Sequence, residues 1–347
     1  MTRTAVVICP GRGTYNKTEL GYLGMHHPDK RALFSQFDAF RTEAGQATVT
    51  ELDSAAKYVT AKYSRGDIAS PLIYAASLAD AQSIDPDIDI VAVTGNSMGW
   101  YIALAAAGAV TPMDGFNVVN TMGTLMHEHL IGGQLIYPFV GDDWRVDDRN
   151  RRRLLAVVAD IDRQPDHTLS LSINLGGMLV LAGDEAGLRA FEATQPTIAD
   201  RFPMRLPNHA AFHTPLQEPV ATAGQARLAA IDFKQPATPL IDGRGHVWWP
   251  AATDTDKLKD YTLGHQVTQP YDFTAAIRAA AYEFAPDLFI VTGPGTTLGG
   301  AVAQSLIVSD WQGLTCKADF QSRQAEDPLL ISMGIPEQRA LVVAEKR

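Results

Sequence analysis

The run Gly95-Asn96-Ser97-Met98-Gly99 constrains this chain more than any other stretch. Before it, Ile88-Asp89-Ile90-Val91-Ala92-Val93-Thr94 is apolar and β-branched, which reads as a buried strand. After it, Tyr101-Ile102-Ala103-Leu104-Ala105-Ala106-Ala107 reads as a helix. A strand that turns into a helix through G-x-S-x-G lifts its serine onto a sharp elbow, with the hydroxyl exposed at the helix N-terminus. The backbone N–H groups and the helix dipole there favour developing negative charge. Ser97 is therefore a candidate nucleophile.

Around the elbow, strand-like and helix-like segments alternate without an internal repeat, which predicts an α/β fold with a parallel sheet. A first strand is expected over 5–9 and a helix near 71–81. Thr111-Pro112-Met113-Asp114 opens a helix that runs to about His129. Thr111 suits the N-cap, Pro112 the first helical position and Asp114 the first turn. The middle of the chain then reads as strand 134–140, helix 148–161, strands 169–174 and 178–182, helix 185–193 and strand 202–206. That β-α-β-β-α-β order is ferredoxin-like. It places a small inserted subdomain at 132–207, with 1–131 and 208–347 forming the large domain. A further buried strand is expected at Leu288–Val291, ending in the turn Thr292-Gly293-Pro294-Gly295, and the last forty or so residues read as peripheral helices and loops.

Composition narrows the function. The net charge of −10 argues against a nucleic-acid partner, because phosphate contacts need basic surface. No apolar run reaches the length of a membrane span, and the apolar start is too short for a secretory signal. Cys9 and Cys316 are the two cysteines, far apart, so neither a disulfide framework nor a zinc pattern follows and a cytoplasmic location is the default. In Gly11-Arg12-Gly13 and Gly293-Pro294-Gly295 the third glycine of a dinucleotide fingerprint is missing, replaced by Asn16 and Leu298. Arg149, Arg151, Arg152 and Arg153 form one basic cluster, either a solvated helix face or a docking patch for a phosphate or an acidic protein.

A serine nucleophile needs a base and an oxyanion hole. The N–H of Met98, directly after Ser97, is the natural first donor, and the loop Pro10-Gly11-Arg12-Gly13 is the best source of a second. Among nine histidines, His26 and His27 lie in a polar stretch and are expected at the surface. His127 and His129 close a helix, where histidine suits the dipole. His209 and His213 fall in Pro207-Asn208-His209-Ala210-Ala211-Phe212-His213-Thr214-Pro215, a loop between the two expected domains. Either can be the base, and spacing alone does not choose.

Taken together, Pro10-Gly11-Arg12-Gly13, Gly95-Asn96-Ser97-Met98-Gly99, Ala211-Phe212-His213-Thr214-Pro215 and Gly293-Pro294-Gly295 resemble the malonyl-CoA:acyl-carrier-protein transacylase family. That family shows P-G-Q-G, G-H-S-L-G, A-F-H-S-P and G-P-G in this order, and the agreement covers roughly 4–305. The resemblance implies an α/β-hydrolase-like large domain carrying the ferredoxin-like subdomain. It makes Ser97 the acyl-accepting nucleophile, His213 the base and the backbone carbonyl of Gln266 the group that orients His213. The oxyanion donors would be the backbone N–H groups of Met98 and Arg12. It implies ping-pong transfer of an acyl group from an acyl-CoA or carrier thioester, through a seryl ester, to the phosphopantetheine thiol of an acyl carrier protein. No tightly bound cofactor or metal, no membrane and a monomeric state are expected. An acyl-carrier-protein thioesterase using the same pair is the alternative.

The departures bear on the acyl group. Malonyl-specific members carry an arginine on the helix after the elbow; here Met122 occupies that position in Met122-Gly123-Thr124-Leu125-Met126-His127-Glu128. The elbow histidine is Asn96, the residue after Gly99 is Trp100, the glutamine of P-G-Q-G is Arg12, and the early-helix glutamine segment reads Ala69-Ser70-Pro71. Arg12, Asn96, Met122, Phe212 and Asn174 are the candidate substrate contacts. Either the pocket has lost its carboxylate clamp and takes a non-carboxylated acyl group, or Arg12 restores a positive charge from the opposite wall, or Arg12 points out to CoA phosphate or solvent.

Overall fold

The computed structural model describes residues 2–344. Its strands are β1 (Arg3–Cys9), β2 (Ile88–Gly95), β3 (Gly133–Pro138), β4 (Leu169–Leu175), β5 (Met178–Gly183), β6 (Met204–Arg205), β7 (Leu240–Ile241), β8 (Val247–Trp248), β9 (Tyr271–Asp272), β10 (Leu288–Val291) and β11 (Leu330–Ser332). The main sheet has the order β11-β10-β1-β2-β7-β8 and is parallel except at the β7–β8 edge. Ala5 to Cys9 are all buried, as expected of a central parallel strand covered by helices on both faces.

The second sheet has the order β6-β3-β5-β4-β9. Strands β3 to β6 pair antiparallel in a ferredoxin-like arrangement. Helices Asp148–Asp162 and Glu185–Thr194 cover one face, where Leu154, Val158, Leu188 and Phe191 share a core with Leu179 and Leu181 of β5. Val180, between those leucines, packs instead into the large core, the alternation a two-faced strand demands. The free edge of β4 is closed by β9, which belongs to the chain after 208 and pairs in parallel at Ile173 and Asn174.

Several expectations change in detail. The early helix begins at Gly66 and passes straight through Pro71. A proline there cannot bond the carbonyl four residues back. That carbonyl, on Asp67, instead accepts from Nη1 of the buried Arg41 at 3.0 Å. The start at Gly66 also lets this helix touch the helix Pro112–His129: a Cβ on Gly66 would lie 2.5 Å from the Gly123 carbonyl oxygen. Of the expected strand 202–206, Met204–Arg205 forms the short strand β6 against β3, and the Leu206 N–H donates to the Gln134 carbonyl at 3.0 Å. The C-terminal region is not purely peripheral, because β11 extends the main sheet. His27 is not a surface residue: it is fully buried against Asp80 at 2.7 Å, since a polar neighbourhood in sequence hides a partner elsewhere in the chain.

Candidate active site

Ser97 sits between β2 and the helix Gly99–Ala106 with φ of 55°, the left-handed region that a side chain adopts only under constraint. The flanking glycines supply it. A Cβ on Gly95 would lie 2.2 Å from the Gly99 carbonyl, and one on Gly99 would lie 2.2 Å from the Cys9 carbonyl oxygen. The elbow is thus wedged against the end of β1, and only hydrogen fits at either position.

The structure brings Ser97 and His213 together across the chain. Ser97 Oγ lies 2.7 Å from His213 Nε2, and His213 Nδ1 lies 2.6 Å from the Gln266 carbonyl oxygen. A carbonyl only accepts, so Nδ1 carries the proton and Nε2 is left to accept from the serine hydroxyl. His213 is 3% exposed, and its own N–H donates to the Val267 carbonyl. Burial pushes its imidazole down to about 4, opposed by the hydrogen bond to Gln266. His209, the other candidate, is held by Gln134 Oε1 at 2.9 Å and does not touch Ser97. Among the described residues, neither the Met98 nor the Arg12 backbone N–H has a protein acceptor.

The pair opens onto a narrow hollow lined by Arg12, Met122, Met126, Val119 and Phe212. Its cavity volume is ≈ 20 Å³, room for about one water molecule. Met122 is fully buried, and a Cβ on Gly224 would lie 2.6 Å from its sulfur, so the helix Glu218–Arg227 backs that wall. Val119 and Met126 lie outside the expected set; their spacing with Met122 places all three on one face of a helix, a stripe the sequence already carries.

Arg12 lines the same hollow as Met122. Its Nη2 donates to the carbonyls of Ser64 and Asn208, at 2.8 and 2.7 Å, and its guanidinium lies 5.3 Å from the centre of the Phe212 ring. Among the described residues, Nε is buried without a partner. Burial pushes the guanidinium down to about 10, with Asp67 opposing, so it remains a cation at neutral pH. Asn96 and Asn174 do not line the hollow. Asn96 packs its backbone against Gly11. Asn174 donates to Asp272 Oδ1 at 2.9 Å and faces a separate hollow of ≈ 240 Å³ with Arg151 and Arg278, because the β4–β9 pairing turns it that way. Among the described residues, no group of three or more His, Cys, Asp or Glu side chains is placed to hold a metal ion, and no helix is long and apolar enough to cross a membrane.

No protein-family model matches this chain. Among curated proteins, the malonyl CoA-acyl carrier protein transacylase of Escherichia coli K12 is 28% identical over 213 residues, 60% of this chain and 63% of that protein. The match thus spans less than two thirds of that relative. The transacylase of the same name from Bacillus subtilis is 26% identical over 308 residues, 84% of this chain and 87% of its own. The crystal structure of the malonyl-CoA:acyl carrier protein transacylase from Xanthomonas oryzae superposes with a TM-score of 0.74 at 20% identity, covering 98% of this chain and 97% of that one. These likenesses support a divergent member of the malonyl-CoA:acyl-carrier-protein transacylase family. The Ser97–His213 contact joins the residues that the resemblance pairs, and the hollow beside it has Met122 where that family's malonyl-specific members carry arginine.

Proposed function

We propose that this protein is an acyltransferase that carries an acyl group on Ser97 from a thioester to the phosphopantetheine thiol of an acyl carrier protein. The observation that carries the reading is the 2.7 Å contact between Ser97 Oγ and His213 Nε2 at the floor of a hollow. In the first half-reaction Ser97 Oγ bonds to the thioester carbonyl carbon and its proton passes to His213 Nε2. The oxyanion receives the N–H groups of Met98 and Arg12. The C–S bond then breaks, and the leaving thiolate takes the proton back from His213. In the second, the carrier thiol gives its proton to His213 and attacks the seryl ester, and Ser97 leaves as a hydroxyl. The names of the curated relatives support both CoA and a carrier protein as substrates.

For the acyl group, we infer a small chain that is not restricted to malonyl. Met122 and its apolar neighbours support this, since a carboxylate buried against them without a cation would cost several kcal/mol. A second reading is favoured by one observation: the unpartnered Nε of Arg12, a cation in the same hollow. In that reading Arg12 holds a carboxylate on the acyl group.

Intact-protein mass after incubation with acetyl-, malonyl- and longer acyl-CoA tests both. A covalent adduct on the wild type that Ser97→Ala lacks is expected. An adduct that decays in water as fast as it passes to carrier overturns transfer in favour of the thioesterase. Arg12→Gln should slow charged and neutral donors alike; selective loss of the charged donor replaces the first acyl reading with the second.

A further inference from the structure

One residue grips both halves of the Ser97–His213 pair. The Gln266 backbone carbonyl accepts from His213, and its side-chain Nε2 donates to the Ser97 carbonyl oxygen at 3.0 Å. The remaining amide atom, Oε1, accepts from Tyr101 Oη at 2.9 Å. Both Gln266 and Tyr101 are 2% exposed, so water does not compete for these bonds. The Ser97 carbonyl fixes which way the amide points: it only accepts, so it faces the NH2 group, and Oε1 is left to take the Tyr101 hydroxyl, which holds the amide in place.

The bond reaches the place where the elbow is strained. The Ser97 carbonyl belongs to a residue with φ of 55° and already accepts the Trp100 N–H at 3.0 Å. Gln266 adds a second donor to that oxygen. Beside it, Trp100 Nε1 donates to Thr262 Oγ1 at 3.0 Å. Two consecutive side chains of the elbow helix, Trp100 and Tyr101, therefore fasten it to the segment that also orients His213.

We propose that the Gln266 side chain, set by Tyr101, is the positioning element that holds Ser97 Oγ in register with His213 Nε2. The proposal rests on the nucleophile–base reading above and adds a side-chain role to the backbone carbonyl. Removing the side chain leaves that carbonyl, and with it the tautomer of His213, in place. What is lost is the alignment of nucleophile and base, to which reaction rate is steeply sensitive.

The test uses a fluorophosphonate probe, which needs neither acyl donor nor carrier, so its failure is distinguishable from failure of the transferase reading. Ser97 Oγ bonds to phosphorus, the P–F bond breaks, fluoride leaves, and the serine proton passes to His213 Nε2. Gln266→Ala should slow labelling by about tenfold, the worth of one hydrogen bond in the transition state, and Tyr101→Phe by about threefold. The double variant should be no slower than Gln266→Ala, because Tyr101 acts through Gln266. Gln266→Glu supplies a pH readout that a merely structural side chain would not move. Its protonated carboxyl still donates to the Ser97 carbonyl and its carboxylate cannot, so labelling should fall as pH rises, unlike the wild type. Tyr101→Phe keeps the ring and carries the test if Gln266→Ala does not fold. Wild-type labelling by Gln266→Ala, additive losses in the double variant, or a Gln266→Glu profile parallel to the wild type overturns the proposal. A wild-type Ser97 that the probe does not label overturns it together with the nucleophile–base reading.

Discussion

Two histidines are buried in this molecule in opposite chemical company. His213 touches a hydroxyl and a carbonyl, both uncharged, and one side of its ring faces the hollow. His27 lies 2.7 Å from Asp80 Oδ1, an oxygen that Arg339 Nη1 also reaches at 2.6 Å. The other Asp80 oxygen accepts from Tyr22 Oη and from the Gly293 N–H, both at 2.7 Å. Burial opposes the Asp80 charge, yet the hydrogen bond from His27 and the charge of Arg339 hold its carboxyl below the usual range. The histidine proposed to move a proton has neutral partners and an open side. A histidine that has to stay put is saturated by ions. The second network joins the early chain, the helix Gly66–Ala81, the turn after β10 and the C-terminal helix Pro336–Arg339.

The sharpest break of this comparison is to remove the centre of each network. His213→Ala should slow formation of the seryl ester by about four orders of magnitude, the usual scale for losing a member of such a pair, while the melting temperature changes little. Asp80→Ala should do the reverse. It leaves Arg339 and His27 buried without their anion, a cost of about 3–5 kcal/mol, and the molecules that remain folded should acylate at the wild-type rate. Stopped-flow acylation alongside denaturant unfolding reads both. If Asp80→Ala lowers the acylation rate of folded protein as well, the two networks are not separate.

Acid should divide the two sites next. In the proposed reaction the base is the neutral imidazole, and burial lowers His213 from the free value of 6.5 to about 4. Acylation should therefore be flat through neutral pH and fall only as pH drops through about 4. The same burial makes the unfolded chain bind that proton first, so it costs stability as pH falls from 6.5 toward 4. Asp80 acts in the same direction. Its carboxyl is held below the unfolded value, so its contribution is whole above the ordinary carboxylate range and is lost as pH falls through its lowered value. An acid limb of the acylation rate near 6.5 would sink the claim that burial governs His213.

The contrast also explains what the chain disclosed before its structure was known. Gly95 and Gly99 mark the elbow because any side chain there would strike backbone, so that geometry is written in residue identity. The helix Pro112–His129 has the expected bounds because its cap is local: Thr111 Oγ1 accepts from the Asp114 N–H. A carbonyl belongs to every residue, so nothing in the letters marks Gln266 as the partner of His213; only the resemblance pointed to it. The burial of His27 is not legible in its own neighbourhood because Arg339 and Asp80 come from distant parts of the chain. Asn174 faces a separate hollow because its direction depends on β9, a two-residue strand from far along the chain. Local sterics are legible in a sequence, and long-range pairing is legible only where a motif happens to carry it.

The smallest expected effect concerns cations, and it extends the comparison from buried to exposed groups. Arg339 is buried and its partners lie inside the molecule. On the helix Asp148–Asp162, Arg153 is held by Asn150 and Gln195, and Arg152 Nε donates to the Asp148 carbonyl. The side chains of Arg149 and Arg151 have no partner among the described residues. Unpaired surface cations on one helix are the kind of group whose partner lies on another molecule, and an acidic carrier protein fits that charge. Charge reversal at Arg151 and Arg152 should slow transfer to carrier by about three- to tenfold at low salt, less at high salt, with acylation by CoA thioester unchanged. The effect is small because water and salt screen exposed charges, whereas nothing screens Arg339. An equal loss in both half-reactions would mean that the cluster supports the fold rather than a partner. No loss in either would make it a solvated helix face.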